Sequence, residues 1–128
     1  MTSGLADTSI FIARESGRPM RAELLPGMLA VSVVTVGELR AGVLAAADLA
    51  TRDRRLATLT AVMGLNPVPV DDDVAAAWAR LRVALRDAGQ RMGVNGSWIA
   101  ATAIALGVPL VTQDDDHVDV PGLRVIRV

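Results

Sequence analysis

The chain has 128 residues, of which 52% are hydrophobic, 2% aromatic and 21% charged, and its net charge is −1. This composition excludes a disordered chain, and no apolar run approaches the roughly 20 residues that a membrane-spanning helix needs. The chain has no cysteine, which excludes disulfides and thiolate metal sites and favours a cytoplasmic location. Asp7 interrupts the apolar N-terminus, unlike a secretory signal. We therefore expect one globular domain over residues 1–128, with no membrane segment.

Predicted strands and helices alternate in the first half of the chain. A short strand at residues 4–6 is followed by a helix whose cap is Asp7-Thr8-Ser9, because these residue types are favoured at helix N-termini. Arg18-Pro19 breaks that pattern and begins a second short helix that ends near residues 26–27. The apolar, valine-rich run 29–34 predicts a buried strand. Two further helices are predicted at residues 35–47 and 49–63.

In the second half, residues 66–70 contain two prolines, which predicts only an edge strand or an extended link. Asp71-Asp72-Asp73 then opens a long helix, and N-capping explains this acidic run without assigning it any chemistry. Apolar residues follow at spacings of 4, 3 and 4, which predicts one buried helix face: Val74, Trp78, Leu81 and Leu85. The last predicted elements are a loop at 93–96, a helix at 97–106 and strands at 108–112 and 123–128.

This alternation predicts an α/β fold, with a mostly parallel sheet that is covered by helices on both faces. Ligand sites in such sheets lie beyond the carboxyl ends of the strands. Acidic residues occur at three of these ends. Asp7 follows the first strand, Glu38 is expected in the first turn of the helix after the second, and Asp114 and Asp116 follow the strand that ends at Thr112.

Acids that converge in this way repel one another, by about 4 kcal/mol for two unit charges about 4 Å apart at an effective dielectric constant near 20. A divalent cation would neutralise them, and Mg²⁺ or Mn²⁺ suits a site of oxygen ligands. Each acid also has a structural interpretation. Asp7 would be a helix cap, Glu38 the partner of Thr35 in a capping box, and 114–116 a solvated turn. Their joint placement after three strands favours a metal site.

Four segments of the chain resemble, in order, the motifs of PIN domains, and particularly those of VapC toxins. They are Leu5-Ala6-Asp7-Thr8-Ser9-Ile10-Phe11-Ile12, Ser32-Val33-Val34-Thr35-Val36-Gly37-Glu38-Leu39, Asn95-Gly96-Ser97-Trp98-Ile99-Ala100-Ala101-Thr102-Ala103 and Leu110-Val111-Thr112-Gln113-Asp114-Asp115-Asp116. The resemblance covers nearly the whole chain.

The resemblance implies a three-layer PIN-like fold, with a twisted parallel sheet of four to five strands between helices. It implies a toxin that hydrolyses phosphodiester bonds in RNA as an endonuclease with one or two Mg²⁺ or Mn²⁺ ions, is inhibited by a VapB-type antitoxin, and forms a homodimer. By motif position the metal-site acids are Asp7, Glu38 and Asp114, with Asp116 as a further catalytic residue. Thr8 and Thr112 would support the site with their hydroxyl groups.

The third motif departs from the family pattern. It normally reads Asn-Asp, whereas this chain has Asn95-Gly96, so one metal-site carboxylate is missing. Asn95 could offer only a neutral amide oxygen. We therefore expect a weakened or inactive ribonuclease. Two origins are considered, a natural weakening or a substitution introduced to silence a toxic enzyme, and the intact flanking residues favour the second.

Three alternatives to an active ribonuclease are considered, the first of which also rests on the resemblance. A PIN-fold protein that binds RNA or antitoxin without cleavage is consistent with Gly96. A phospho-acceptor or phosphatase domain with Asp7 as nucleophile would typically need a lysine near the phosphate, and every basic residue here is arginine. A purely structural α/β domain would leave the converging acids unexplained.

Two smaller signals bear on RNA binding. Arg82 and Arg86 share a helix face, where they would contact RNA phosphates or simply be solvated. Trp98 would stack on a base or pack in the core, and its place on an alanine-rich helix favours packing.

Overall fold

The computed structural model describes residues 2–115 and 120–128. Within these residues, four strands and five α-helices follow one another, with a 3₁₀ turn at Ala22–Leu24 after the first helix. The elements are β1 Ser3–Ala6, α1 Thr8–Ser16, β2 Met28–Val31, α2 Val33–Leu44, α3 Leu49–Met63, α4 Asp72–Asp87, α5 Val94–Leu106, β3 Leu110–Thr112 and β4 Val125–Arg127. None of these helices is both long enough and apolar enough to span a membrane.

The described strands form a single parallel sheet in the order β2-β1-β3-β4. Successive side chains of a strand point to opposite faces of the sheet, so the side chains of β1 contact the helices on both faces. Leu5 packs with Ile99 and Ala103 of α5, whereas Ala6 belongs to the cluster that contains Ile10 of α1 and Val62 of α3. Helices therefore cover both faces of the sheet. The predicted α/β fold with flanking helices is confirmed.

The second strand is shorter than predicted, because Ser32 begins a helix. Its hydroxyl oxygen accepts a hydrogen bond from the N–H of Val34 at 3.0 Å, and α2 starts at Val33 although valine favours strands. Glu38 consequently lies in the second turn of α2 and not in the first. The capping-box interpretation of Glu38 is wrong, since its carboxylate contacts Thr8 of α1.

The fifth helix is longer than predicted and takes in most of the expected loop at 93–96. Gly93 occupies the cap position, and its carbonyl oxygen accepts from the N–H of Ser97 at 2.8 Å. The Ser97 hydroxyl donates to the carbonyl oxygen of Val94 at 2.6 Å. Asn95 and Gly96 therefore lie in the first turn of α5.

Two other predicted elements are reduced. The short helix expected after Arg18-Pro19 is only the 3₁₀ turn at Ala22–Leu24. The proline-containing segment 66–70 contributes one bridge, between Val68 and Ser32, as expected of a segment with few backbone donors.

Helices α4 and α5 pack through the apolar face that the spacing predicts. Val74, Leu81 and Leu85 are at most 5% exposed. Trp78 stacks on Trp98 with ring centroids 4.4 Å apart, and its Nε1 donates to the Ser97 hydroxyl at 3.1 Å. The packing interpretation of Trp98 is confirmed, because its ring lies against another helix.

The cap of α4 provides a test of these local assignments. Asp71 accepts a hydrogen bond from the N–H of Val74 at 2.9 Å. We expect Asp71→Ala to lower the free energy of unfolding by about 1 kcal/mol, and Asp71→Ser to lower it only slightly because serine keeps an acceptor. Urea denaturation followed by circular dichroism measures both. Equal losses would show that Asp71 acts through its charge and not as a hydrogen-bond acceptor.

Candidate active site

A cavity of about 520 Å³ opens beyond the carboxyl ends of β1 and β3. Asp7 follows β1, Thr112 ends β3 and Asp114 follows it, and all three line this cavity. Gly96, from the first turn of α5, lies on the same wall. Parallel strands bring these residues together although they are distant in sequence.

The Asp7 carboxylate is positioned by two hydroxyl groups. Its Oδ2 accepts from Ser9 Oγ at 2.7 Å and from Thr112 Oγ1 at 3.0 Å. Although Asp7 is at the cap position of α1, its side chain makes no capping hydrogen bond to the helix backbone. The carboxylate therefore faces the cavity instead of capping the helix.

Ser9 and Thr112 also shape the loop after β3. Ser9 Oγ accepts from the N–H of Gln113, and Thr112 Oγ1 accepts from the N–H of Asp114, both at 3.0 Å. Ser9 is not among the site residues that the sequence predicts. Its position two residues after Asp7, within reach of the carboxylate, is the signal that could have indicated one.

The loop after β3 is also attached to the last strand. Gln113 Nε2 donates to the carbonyl oxygen of Val128 at 2.8 Å, and Asp115 forms an ion pair with Arg127. Asp114 therefore has structured backbone on both sides. Asp116, the further acid expected from the motif, lies outside the described residues.

Glu38 lines a neighbouring cavity, together with Asn95. Its Oε1 accepts from Thr8 Oγ1 at 2.7 Å, and Asn95 Nδ2 lies 3.5 Å from its Oε2. Thr8 Oγ1 is also 2.8 Å from Thr35 Oγ1, and because a hydroxyl has one proton, Thr35 must be the donor in that bond. This buried chain of hydroxyls links Glu38 to the residue beside Asp7.

The predicted metal-site acids are therefore divided between two cavities. Asp7 and Asp114 share one cavity, and Glu38 lines the other. Among the described residues, no group of three or more acids or histidines is close enough to hold a metal ion. Two carboxylates nevertheless suit Mg²⁺, which typically binds one or two of them and completes its shell with water and substrate phosphate.

Gly96 leaves space in the wall of the Asp7 cavity. A Cβ atom at this position would have one neighbour within 4 Å, the Cγ of Met92 at 3.7 Å, which is an ordinary contact. Its backbone is part of a regular helix. An aspartate at position 96, the residue that the family motif normally has there, would therefore fit without backbone strain.

Arg82 and Arg86, the predicted RNA contacts, line a separate cavity with Arg91. The Cζ of Arg82 lies 5.4 Å from the centroid of the Trp78 ring. Arg86 pairs with the adjacent Asp87 at 3.2 Å. These arginines lie outside the cavity of Asp7, although Arg91 lines both cavities.

The sequence and the fold of this chain were compared with those of known proteins. The family model of the PIN domain matches residues 5–123. This chain belongs to the PIN domain family. Ribonuclease VapC5 of Mycobacterium tuberculosis is 49% identical over 129 residues, which cover 98% of this PIN domain chain and 96% of the relative. Ribonuclease VapC4 of the same organism is 44% identical over 124 residues, covering 97% and 95% of the two chains.

A solved structure also resembles this PIN domain over its full length. A crystal structure of VapBC-5, a member of the VapBC family of toxin-antitoxin systems from Mycobacterium tuberculosis, matches with a TM-score of 0.91 and 44% sequence identity. The match covers 100% of both chains. The resemblance to the VapC group of PIN domains, stated above from four motifs, is confirmed.

The hydroxyl of Thr112 provides a test of the site's architecture. Thr112 is 4% exposed, so Thr112→Val would remove the hydroxyl that accepts from the N–H of Asp114 and one of the two hydroxyls that donate to Oδ2 of Asp7. We expect this variant to lose about 2 kcal/mol of stability, whereas Thr112→Ser, which keeps the hydroxyl, loses about 1 kcal/mol. Chemical denaturation measures both. A larger loss in Thr112→Ser would show that packing of the methyl group outweighs the hydrogen bonds.

Proposed function

We propose that this chain is a toxin of the VapC type, an endoribonuclease that hydrolyses phosphodiester bonds in RNA. The observation that carries the proposal is the pair Asp7 and Asp114, which line one cavity at the carboxyl ends of two adjacent parallel strands. The 49% identity to a ribonuclease over nearly the whole chain supports the same activity.

We propose Mg²⁺ or Mn²⁺ as the cofactor, bound by Asp7 and Asp114. Such an ion activates water and stabilises charge on the phosphoryl oxygens. Asp7 is oriented for this role by Ser9 and Thr112, which occupy its Oδ2 with hydrogen bonds and leave Oδ1 for a ligand. A carboxylate of the site would also accept the proton of the attacking water.

The remaining predicted site residues complete this proposal. Glu38 is the third acid, oriented by Thr8 and close to Asn95, and it would approach the metal from the neighbouring cavity. Asp116 is proposed as a further catalytic residue from its position in the motif. Arg82 and Arg86 are proposed to contact RNA.

We propose that Gly96 weakens this activity. The position lies on the wall of the cavity that contains Asp7 and Asp114, where an aspartate would add a third carboxylate to that cavity. Without it, the site has less charge to attract a divalent cation. The second candidate function, binding of RNA or antitoxin without cleavage, rests on this one position.

The proposed partner is a VapB-type antitoxin, supported by the full-length match to a member of a VapBC system. A homodimer is proposed from the family resemblance. We further propose that residues 1–128 form a single PIN domain in the cytoplasm. The match over residues 5–123 supports the single domain, as does a sheet whose strands come from both ends of the chain. The lack of cysteine supports the location.

The primary experiment compares RNA cleavage by this chain and by Gly96→Asp, on a broad panel of RNAs in Mn²⁺ or Mg²⁺. We expect Gly96→Asp to be faster by roughly 100-fold or more, because losing even an outer contact of a metal site costs roughly 10- to 100-fold. Chelation should abolish the cleavage, and so should Asp7→Ala in the Gly96→Asp background.

Gly96→Ala is the matched control, since it adds the Cβ atom without a ligand, and it should resemble the parent. Equal cleavage by the parent and Gly96→Asp would show that the remaining acids suffice. Absence of cleavage by both, on the whole panel, would contradict the ribonuclease proposal and favour the binding role.

The partners are tested separately, with the homodimer measured on the unmodified chain and the inhibition measured on Gly96→Asp. Light scattering of the purified chain should give about twice its monomer mass of 13.4 kDa. The cognate antitoxin, when added in equal amount, should bind the chain and suppress cleavage by Gly96→Asp. A monomeric mass would contradict the homodimer, and undiminished cleavage with excess antitoxin would contradict the proposed inhibition.

A further inference from the structure

A basic cavity of about 290 Å³ lies where α4 ends and the chain turns towards α5. Among the residues that the structure describes, its lining contains three arginines and no acid: Arg82, Leu85, Arg86, Gln90, Arg91 and Met92. Leu85 is 5% exposed and belongs to the hydrophobic cluster beneath the cavity, so the polar side chains rest on a packed base. A cavity of this composition suits an anion.

The basic cavity adjoins the candidate active site. Gln90, Arg91 and Met92 line both this cavity and the larger one that contains Asp7 and Asp114. A strand of nucleic acid with one phosphate beside the two acids would therefore pass Arg91 and enter the basic cavity. This adjacency is what distinguishes the cavity from a solvated patch of arginines.

The charges of these arginines are available to a ligand. Among the described residues, neither Arg82 nor Arg91 forms an ion pair. Arg86 pairs only with its exposed neighbour Asp87, and an exposed pair of this kind contributes little. The opposing acid is therefore weakly held and can be exchanged for a phosphate.

Arg82 is also partly positioned in advance. Its guanidinium group lies over Trp78, whose ring is stacked on Trp98 and hydrogen-bonded to Ser97. This platform restricts the arginine before any ligand arrives. Restriction of a long side chain lowers the entropic cost of the contact that it makes.

We propose that this basic cavity is a second phosphate subsite, which binds the RNA backbone next to the phosphate that lies at Asp7 and Asp114. The proposal rests on the ribonuclease function proposed above and adds a location for the flanking strand. The chain has a net charge of −1, so it has no general attraction for RNA, and the acids of the cleavage site repel phosphate. Arginines that adjoin these acids offset the repulsion and bind phosphate with paired N–H groups.

The test is RNA binding by the chain as it exists, measured without divalent cations so that no cleavage occurs. Fluorescence anisotropy with a labelled single-stranded RNA of mixed sequence gives Kd over a series of salt concentrations. We expect Arg91→Gln to weaken binding about ten-fold and to reduce the slope of log Kd against log salt by about 0.7, the value for one phosphate contact in a single strand. Arg91→Lys should retain most of that slope because it keeps the charge.

Arg80→Gln is the matched control. Arg80 is on α4, like Arg82 and Arg86, but lines a different cavity, with Ala79 and Val83, so its loss should change Kd less than two-fold. Circular dichroism verifies that each variant is folded. If Arg91→Gln and Arg80→Gln have the same Kd and salt slope, the subsite is overturned. It is also overturned if substitution of the cavity arginines leaves RNA binding unchanged and weakens only the binding of the cognate antitoxin.

The subsite and the ribonuclease proposal fail in different ways. If Gly96→Asp cleaves RNA and Arg91→Gln binds RNA like the parent, the ribonuclease proposal stands and the subsite is wrong. If RNA binding depends on Arg91 while Gly96→Asp cleaves nothing, the phosphate-binding cavity stands, and the chain is an RNA-binding protein.

Discussion

The hydrogen bonds between the Asp7 carboxylate and the hydroxyls of Ser9 and Thr112 are the interaction on which the candidate site depends. They join the end of β1 and the first turn of α1 to the end of β3, which lies more than 100 residues later in the chain. They exist because β1 and β3 are parallel neighbours in the sheet, with Ala6 paired to Val111. The same register directs the following acid, Asp114, to the same cavity.

A second set of hydroxyls supports the other acid. Thr8 and Thr35 are both buried and lie between α1 and α2, and together they position Glu38. A buried hydroxyl that lacks a partner is costly, so each of these threonines restricts its neighbours as well as itself. The polar side chains that orient the acids are therefore also part of the packing between helices and sheet.

Acidic and basic side chains of the molecule line separate, neighbouring cavities. The chain as a whole is nearly neutral, yet an acidic cavity and a basic cavity share part of one wall. The proposed cleavage would use acids for the metal and cations for the substrate, and the link between α4 and α5 lines both cavities. Gly96 lines the acidic cavity and not the basic one. Under the proposed function, RNA binding would therefore persist where cleavage is slow.

The sequence by itself determined most of the elements and the family of this protein. Helix α3 runs from Leu49 to Met63 as predicted, Asp71 caps α4, and the four motifs identify a PIN domain, because periodicity, capping and short motifs are local properties. Only the tertiary structure decided the rest. The starts of α2 and α5, the contact of Thr8 with Glu38, the role of Ser9 and the place of Arg91 between two cavities differ from the sequence-based expectation or were absent from it. Most of these features depend on contacts between residues far apart in the chain, which no local pattern specifies.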